Sequence, residues 1–201
     1  MAPYFASLGI PPATGPNVTS PTGYSSPTIR LPSGKFVMDS RNIADALEDL
    51  QPEPSLRLDS GYVERVQEAV SAQKALAPIM IPRVPEMLLN PESEEYFRET
   101  RRERFGVELV DLAKGESAGE KAWEDAEAGL RELVAILRER DGGPFVLGEE
   151  ASYADFVLAG FWAFLKKLDK GGDLFGRVMG VDEAFGRHWE ACQPWLERDD
   201  H

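Results

Sequence analysis

Four residues near the start of the chain combine a proline turn with the opening of a helix: Ser26, Pro27, Asp39 and Ser40. We expect the Ser26–Pro27 peptide bond to be cis, in which case the turn exposes the backbone N–H and C=O groups of Ser26. Those groups can pair with an extended peptide ligand as an added strand would. A helix that begins at Ser40 presents free N–H groups and a positive dipole end, which suit a carboxylate. The pattern favours binding of a small anionic peptide; a plain hairpin with an ordinary helix cap is the equally weighted alternative.

A predicted hairpin and a predicted helix must position these residues. Thr28-Ile29-Arg30-Leu31 alternates polar and apolar residues, as a half-buried strand does, and Phe36-Val37-Met38 is a short return strand. Between them, Leu31-Pro32-Ser33-Gly34 has proline and glycine at the positions that a type I turn favours. The helix that follows carries Ile43, Ala44, Leu47 and Leu50 on one face. Residues 1–26 are rich in Pro, Gly, Ser and Thr, which predicts a loop.

The chain from Gly61 onward has helical periodicity and no strand pattern. The first predicted helix begins near Tyr62 and is ended or kinked by Pro78, and Pro82 and Pro85 predict an irregular segment after it. The other predicted helices run from Asn90 to about Ala113, from about Lys121 to Gly142, from Ser152 to Leu168, and around Phe185, Trp189 and Cys192. Because apolar residues surround most of the helix from Ser152 to Leu168, we expect it to be the most buried of them.

Composition excludes several classes of function. The chain has 201 residues and a net charge of −13, a field that repels phosphate backbones and anionic headgroups, so we expect no nucleic acid and no membrane as a partner. Its two histidines and one cysteine, Cys192, cannot build a zinc site from Cys and His ligands, and no metal is expected. The lack of a signal peptide and of an internal cysteine pair predicts a cytoplasmic protein.

The block from Pro27-Thr28-Ile29 to Gly34-Lys35-Phe36-Val37-Met38-Asp39-Ser40-Arg41-Asn42-Ile43-Ala44 resembles the second half of the thioredoxin-like domain of glutathione transferases. Residues 96–106 are similar to a segment of fungal ustiloxin-pathway-type transferases and of bacterial β-etherase-like relatives. Gly148 with Ser152-Tyr153-Ala154-Asp155 resembles the capping box of the central helix in the transferase C-terminal domain. The resemblance implies glutathione as co-substrate, with Ser26 and Pro27 pairing with its cysteinyl backbone. Asp39 and Ser40 would hold its γ-glutamyl end.

The resemblance also implies a fold class and a division of the chain. The fold would be α+β and mostly α: a partial thioredoxin-like domain over residues 1–52, a linker over 53–60, and an all-α transferase domain over 61–201. Family members begin with a β-α-β unit that carries the residue activating the glutathione thiol. Here the predicted hairpin starts within the first thirty residues, so we expect that unit to be missing and the catalytic residue is unknown. Tyr4, Ser7 and Tyr24 are the hydroxyls considered as substitutes, with loop residues as the favoured interpretation.

Three other patterns have both a structural and a functional interpretation. Arg98, Arg101, Arg102 and Arg104 either attract an anionic substrate or, as favoured by the spacing of Glu94 and Arg98, form a salt-bridged solvated face. His188 and Cys192 lie one helical turn apart and either form a thiolate–imidazole pair or, as favoured, pack on a helix face. Pro78-Ile79-Met80-Ile81-Pro82 either packs in the core or lines the family's hydrophobic substrate pocket.

The function implied is that of a glutathione transferase. A thiolate of glutathione would attack a small hydrophobic electrophile held in an apolar pocket. The alternatives are a non-catalytic glutathione-binding or protein-interaction module of the same fold, and an incomplete gene model of an active transferase. Without the residue that activates the thiol, we expect the 201-residue chain to have little transferase activity. The resemblance also allows a homodimer.

Overall fold

The structure is a computed structural model that describes residues 2–13 and 22–197. It divides into two compact units, Met1–Leu58 and Asp59–His201. The first unit contains helix α1 (Ala2–Ser7), strands β1 (Thr28–Arg30) and β2 (Phe36–Met38), and helix α2 (Ser40–Leu50). In the described part of the second unit the regular elements are helices, apart from an isolated β-bridge between Phe145 and Gly148. The fold is therefore α+β and mostly α, as the sequence predicts.

The two strands of the first unit form an antiparallel hairpin in which Thr28 pairs with Met38 and Ile29 with Val37. Helix α2 contributes Ile43 and Ala44 to the small core of this unit, together with Met38 and Ile10. The prediction of a loop over residues 1–26 is wrong at its start, because α1 forms there. Its proline, Pro3, lies in the first turn, where the absent N–H costs no hydrogen bond.

The helical unit begins with α3 (Tyr62–Ala72) and continues through 3-10 turns at Gln73–Leu76 and Ile81–Arg83, with the short helices α4 (Ala77–Met80) and α5 (Val84–Leu88). The prediction placed the first break at Pro78, whereas α3 ends at Ala72. The prediction of an irregular segment at Pro82 and Pro85 is also wrong. Both prolines occupy the first turn of a short helical piece, which tolerates them.

The remaining helices are α6 (Pro91–Phe105), α7 (Leu109–Leu112), α8 (Glu120–Arg138), α9 (Tyr153–Lys167), α10 (Phe175–Met179) and α11 (Glu183–Leu196). Helix α6 starts where the sequence predicts, with the Asn90 side chain accepting a hydrogen bond from Ser93 N. It ends at Phe105 rather than near Ala113, because Gly106 adopts a left-handed conformation (φ 74°) and its N–H bonds to the carbonyl of Arg102. None of the described helices is long and apolar enough to cross a membrane.

Helix α9 lies at the centre of the helical core, as predicted, with Leu158, Trp162 and Leu165 fully buried. Val157 and Phe161, expected on the same apolar surface, are only partly buried. The capping box at the start of α9 forms: the Ser152 side chain accepts from the backbone N–H of Asp155, and the Asp155 carboxylate accepts from the backbone N–H of Ser152 at 2.8 Å. The Asp155 carboxylate also accepts hydrogen bonds from Val146 N (2.8 Å) and is 3.2 Å from Nε2 of the buried His188.

Candidate functional site

The corner where the hairpin meets α2 brings Pro27 and Asp39 together. The carbonyl of Pro27 accepts a hydrogen bond from the backbone N–H of Asp39 at 3.2 Å. The Ser26–Pro27 bond is cis, as the sequence analysis expects. Thr28 adds a second constraint, because its hydroxyl donates to the carbonyl of Ser25 at 2.6 Å. The start of β1 and the start of α2 are therefore fixed side by side by short-range hydrogen bonds.

Ser26 itself is exposed, and its backbone N–H and C=O have no hydrogen-bond partner among residues 2–13 and 22–197. A buried peptide group without a partner is costly, but an exposed one is available to a ligand. These two groups form a short open strand edge that an extended peptide can complete.

Asp39 is the N-cap of α2: its Oδ1 accepts a hydrogen bond from Arg41 N at 3.0 Å. The backbone of Asp39 has φ 76°, a conformation that costs a residue with a side chain about 1–3 kcal/mol and that clusters at functional sites. Within the described parts of the chain, Oδ2 of Asp39 accepts no hydrogen bond. One carboxylate oxygen therefore holds the helix and the other faces outward.

The first turn of α2 offers donors beside that carboxylate. The backbone N–H groups of Ser40 and Asn42 bond to no described residue, and the Ser40 hydroxyl is likewise open. Ser40 is exposed, while the Asn42 side chain is held by donating to the carbonyl of Met38 at 3.1 Å. Unpaired N–H groups at a helix start, with the positive end of the dipole, form an anion site. The corner thus presents both a carboxylate and an anion-binding turn.

The three hydroxyls considered for thiol activation are not equivalent. Ser7 donates to the carbonyl of Tyr4 at 2.7 Å, and Tyr24 donates to the carbonyl of Ile10 at 3.1 Å. Each of these two hydroxyl protons is already committed to a backbone oxygen. Tyr4 is 64% exposed, and its hydroxyl has no hydrogen bond among the described residues. No group in this set is held in a dry, charge-stabilised setting of the kind that activates a thiol.

The segment from Pro78 to Pro82 contributes to both the core and a cavity. Pro78 and Met80 are buried, while Pro78, Ile79 and Pro82 line a cavity of about 550 Å³ within the helical unit. Leu109 and Trp123 add apolar surface to it, and its rim carries ion pairs such as Arg83–Asp173 (2.6 Å). The segment therefore packs in the core and also lines a cavity, and its role in a substrate pocket stays a prediction.

The arginines of α6 form a solvated, paired face. Arg98 lies 3.4 Å from Glu94 and Arg102 lies 3.3 Å from Glu108. Arg101 and Arg104 lie over the rings of Phe97 and Phe105, at 4.4 and 5.7 Å. Of the four arginines, Arg98 alone is among the described residues that line the cavity near Pro78. The favoured interpretation, a solvated face, therefore fits the other three.

His188 and Cys192 do not form a reactive pair. Trp162 donates its indole N–H to His188 Nδ1 at 3.2 Å, so Nε2 carries the proton that His188 directs to Asp155. Burial, followed by the charge of Asp155, raises the pKa of the Cys192 thiol to about 12. The thiol is therefore a neutral packing group at physiological pH, as the favoured interpretation holds.

The fold is that of a glutathione transferase, and the chain belongs to that family. A family model described as glutathione S-transferase, C-terminal domain, matches residues 59–195. The glutathione S-transferase-like protein ustS of Aspergillus flavus is 31% identical over 217 residues, covering 98% of this chain and 75% of that protein.

Solved structures agree with this assignment. A glutathione S-transferase of Ceriporiopsis subvermispora, CsGST63524, crystallised in complex with glutathione, is 29% identical with a TM-score of 0.77, over 100% of this chain and 82% of that one. The transferase GSTFuA2 of Phanerochaete chrysosporium is 27% identical with a TM-score of 0.78, over 98% of this chain and 81% of that one.

Two parts of the candidate site were missed by the sequence analysis. The free backbone N–H of Asn42 could have been predicted, because Asp39 marks the N-cap of α2 and Asn42 then lies in the first turn, where N–H groups have no partner within the helix. The other cavity residues, such as Leu109 and Trp123, have no local signal, because they are brought together from distant parts of the helical unit.

Proposed function

We propose that this chain binds glutathione at the corner formed by Ser26, Pro27, Asp39 and Ser40, and that it serves thiolate attack on a small hydrophobic electrophile. The observation that carries the proposal is the hydrogen bond from Asp39 N to the Pro27 carbonyl, 3.2 Å long. That bond sets the open strand edge of Ser26 beside the open first turn of α2. Family membership supports glutathione as the peptide.

The polar groups of the corner fit the ends of glutathione. Its γ-glutamyl end carries an ammonium and a carboxylate. The outward oxygen of Asp39 suits the ammonium, and Ser40, with its hydroxyl and N–H, suits the carboxylate at the helix start. The backbone N–H and C=O of Ser26 suit the peptide groups of the cysteinyl residue.

The helical unit supplies the apolar surface for the electrophile in this proposal. A cavity of about 550 Å³ is within the usual range for small-molecule sites, 300–1,000 Å³. Pro78, Ile79 and Leu109 form an apolar part of its lining, beside charged side chains such as Arg83 and Asp173. Burial of the apolar surface of an uncharged electrophile against this apolar part is favourable.

A second candidate function is non-catalytic binding of glutathione. It is favoured by the hydroxyls of Ser7 and Tyr24, which already donate to backbone carbonyls. A hydroxyl whose proton is committed in this way does not stabilise a thiolate. In either case we propose a cytoplasmic protein, in keeping with its single buried free cysteine, and a homodimer, which sedimentation analysis would test.

Thermal unfolding with and without glutathione tests the binding site. A ligand at 100 times its Kd stabilises the native state by about 2.7 kcal/mol, so the wild-type Tm should rise by several degrees. Ser40→Ala should lose most of that rise. Ser71→Ala, at an exposed serine of α3, is the control and should keep it.

A wild-type protein whose Tm does not respond to glutathione would overturn the proposed binding. Conjugation of glutathione to 1-chloro-2,4-dinitrobenzene then separates the two candidate functions. A rate above that of the buffer reaction, reduced in Ser40→Ala, supports the transferase. Binding without any rate increase supports the non-catalytic module.

A further inference from the structure

Residues 51–58, here called the strap, follow α2 and are tied back to it by Glu48. Both oxygens of the Glu48 carboxylate are used: Ser55 Oγ donates to Oε1 at 2.7 Å, and Leu56 N donates to Oε2 at 2.8 Å. These bonds, the one from Ser55 first, hold the pKa of the Glu48 carboxyl below its ordinary value, and the charge of Arg57 acts in the same direction. The carboxylate is therefore ionised at neutral pH and binds the strap through charge-assisted hydrogen bonds.

Arg41 holds the strap at a second point, nearer the start of α2. Its Nη2 donates to the carbonyl of Leu58 at 3.3 Å, and its Nε lies 3.2 Å from Oδ1 of Asp45, one turn along the helix. Glu48 lies about one turn beyond Asp45. The strap therefore runs antiparallel to α2, from its last turn toward its first, and stays within the first compact unit.

Arg41 also belongs to the first turn of α2, at the corner. Its backbone N–H donates to Asp39 Oδ1 at 3.0 Å, and Oδ2 of Asp39 is left facing outward. The Arg41 backbone thus orients the carboxylate that is proposed to bind the γ-glutamyl ammonium, while the Arg41 side chain binds the strap. The strap and the corner are therefore joined through a single residue.

Packing alone gives α2 limited support. The helix has 11 residues, too few for a stable helix in isolation. Its buried residues are Ile43 and Ala44, whereas Leu47 and Leu50 of the last turn are 46% and 56% exposed. Packing therefore holds the middle of α2, and the strap adds contacts where packing is sparse.

We propose that Glu48 and Arg41 are positioning residues for glutathione: they hold the strap on α2, and the attached strap keeps the first turn of α2 in its binding geometry. Release of the strap weakens glutathione binding without removing any group that contacts the ligand. By linkage, bound glutathione strengthens the attachment of the strap by the same factor. The effect on binding rests on the proposed function, whereas the attachment of the strap does not.

Limited trypsin proteolysis measures the attachment of the strap, because Arg57 lies within it and is exposed. Mass spectrometry follows the cut after Arg57 in the absence of glutathione. Glu48→Ala removes both hydrogen bonds and should speed this cut about three- to tenfold, while Glu48→Gln keeps one acceptor oxygen and should give an intermediate rate. The control is Glu53→Ala, which removes the same charge from a strap side chain with no hydrogen bond among the described residues. It should leave the rate unchanged.

Titration calorimetry measures the effect on glutathione binding. Glu48→Ala should weaken binding about two- to tenfold, and Ser55→Ala, which leaves α2 itself unchanged, should weaken it less. In the double variant the loss should equal that of Glu48→Ala alone, because both changes remove the same contact. In the wild type, saturating glutathione should also slow the cut after Arg57. Glu53→Ala should behave as the wild type in both measurements.

Thermal unfolding shows whether each variant is folded, and if Glu48→Ala is not, Ser55→Ala serves for both measurements. Cleavage after Arg57 at the wild-type rate would overturn the attachment of the strap. Faster cleavage with unchanged glutathione affinity would overturn the positioning role alone, and equal effects in Glu53→Ala would assign them to lost charge and overturn the role of the contacts. A wild type that binds no glutathione would overturn the proposed function and the positioning role together, while the cleavage rates would still decide whether the strap is attached.

Discussion

The backbone N–H of Asp39 donates to the carbonyl of Pro27 across 3.2 Å, while the Asp39 side chain caps α2 by accepting from Arg41 N. One residue thus joins the strand start to the helix start and leaves Oδ2 facing outward. Its backbone is held at φ 76°, which the surrounding hydrogen bonds must maintain. Capping and ligand binding therefore depend on different atoms of Asp39 and can be separated by substitution.

Asp39→Asn should separate the two roles. Asparagine caps a helix as well as aspartate does, so stability should stay within about 0.5 kcal/mol. The lost charge should weaken glutathione binding about tenfold, a cost of about 1.4 kcal/mol. Titration calorimetry measures the affinity and thermal unfolding the stability. Asp49→Asn removes the same charge near the other end of α2 and is the control. An unchanged affinity in Asp39→Asn would remove its carboxylate from the binding site.

Two helical glycines should respond in opposite directions to alanine. At Gly129 of α8 a Cβ would clash with Gln73 Nε2 and would lie 2.8 Å from the Ala72 Cβ, so Gly129→Ala should destabilise by about 1–3 kcal/mol. At Gly160 of α9 a Cβ meets nothing within 4 Å, and Gly160→Ala should stabilise by about 0.5–1 kcal/mol. Denaturant unfolding gives both values. Stabilisation by both changes would show that α3 and α8 are not in close contact at Gly129.

Stability should depend on Asp169 in a pH-dependent way. Burial acts to raise the pKa of Asp169, but hydrogen bonds from the backbone N–H groups of Leu174, Gly172 and Phe175 hold it below its ordinary value. A lowered native pKa gives stability that is present above the unfolded pKa, about 3.9, and is lost as the pH falls through the native value. Asp169→Asn should therefore lower Tm at pH 7, with a deficit that shrinks below about pH 4.

Melting curves from pH 7 to pH 3 measure this deficit. Asp111→Asn, at an exposed carboxylate with no hydrogen bond among the described residues, is the control and should show no pH-dependent deficit. A deficit for Asp169→Asn that persists unchanged at pH 3 would mean that the charge of Asp169 is not what stabilises this loop.

The Cys192 thiol should be unreactive in the folded protein. Burial is the main reason that its pKa is raised to about 12, so almost no thiolate exists at pH 8. Ellman's reagent should label no thiol in the native chain and one per chain after denaturation in guanidinium, where the pKa returns to about 8.5. Fast labelling of the native protein would instead support the thiolate–imidazole interpretation of His188 and Cys192.

The sequence alone determined the features that depend on residues a few positions apart. The cap at Asn90, the capping box of Ser152 and Asp155, and the hairpin before α2 were all predicted and are present. Such features are predictable because a cap or a tight turn is satisfied by hydrogen bonds within about one helical turn. Helix ends were predicted less well. The sequence pattern predicted that α6 continues to about Ala113, but the helix ends at Phe105 because Gly106 adopts a left-handed conformation.

The tertiary structure decided which distant residues meet. Arg83 reaches Asp173 across 90 positions, Arg177 reaches Glu120 across 57, and Asp155 of the capping box meets His188 across 33. Trp123 of α8 joins Pro78 and Leu109 in the wall of one cavity through the same packing. No local pattern encodes these contacts, because they depend on how whole helices pack and on side chains that cross between them.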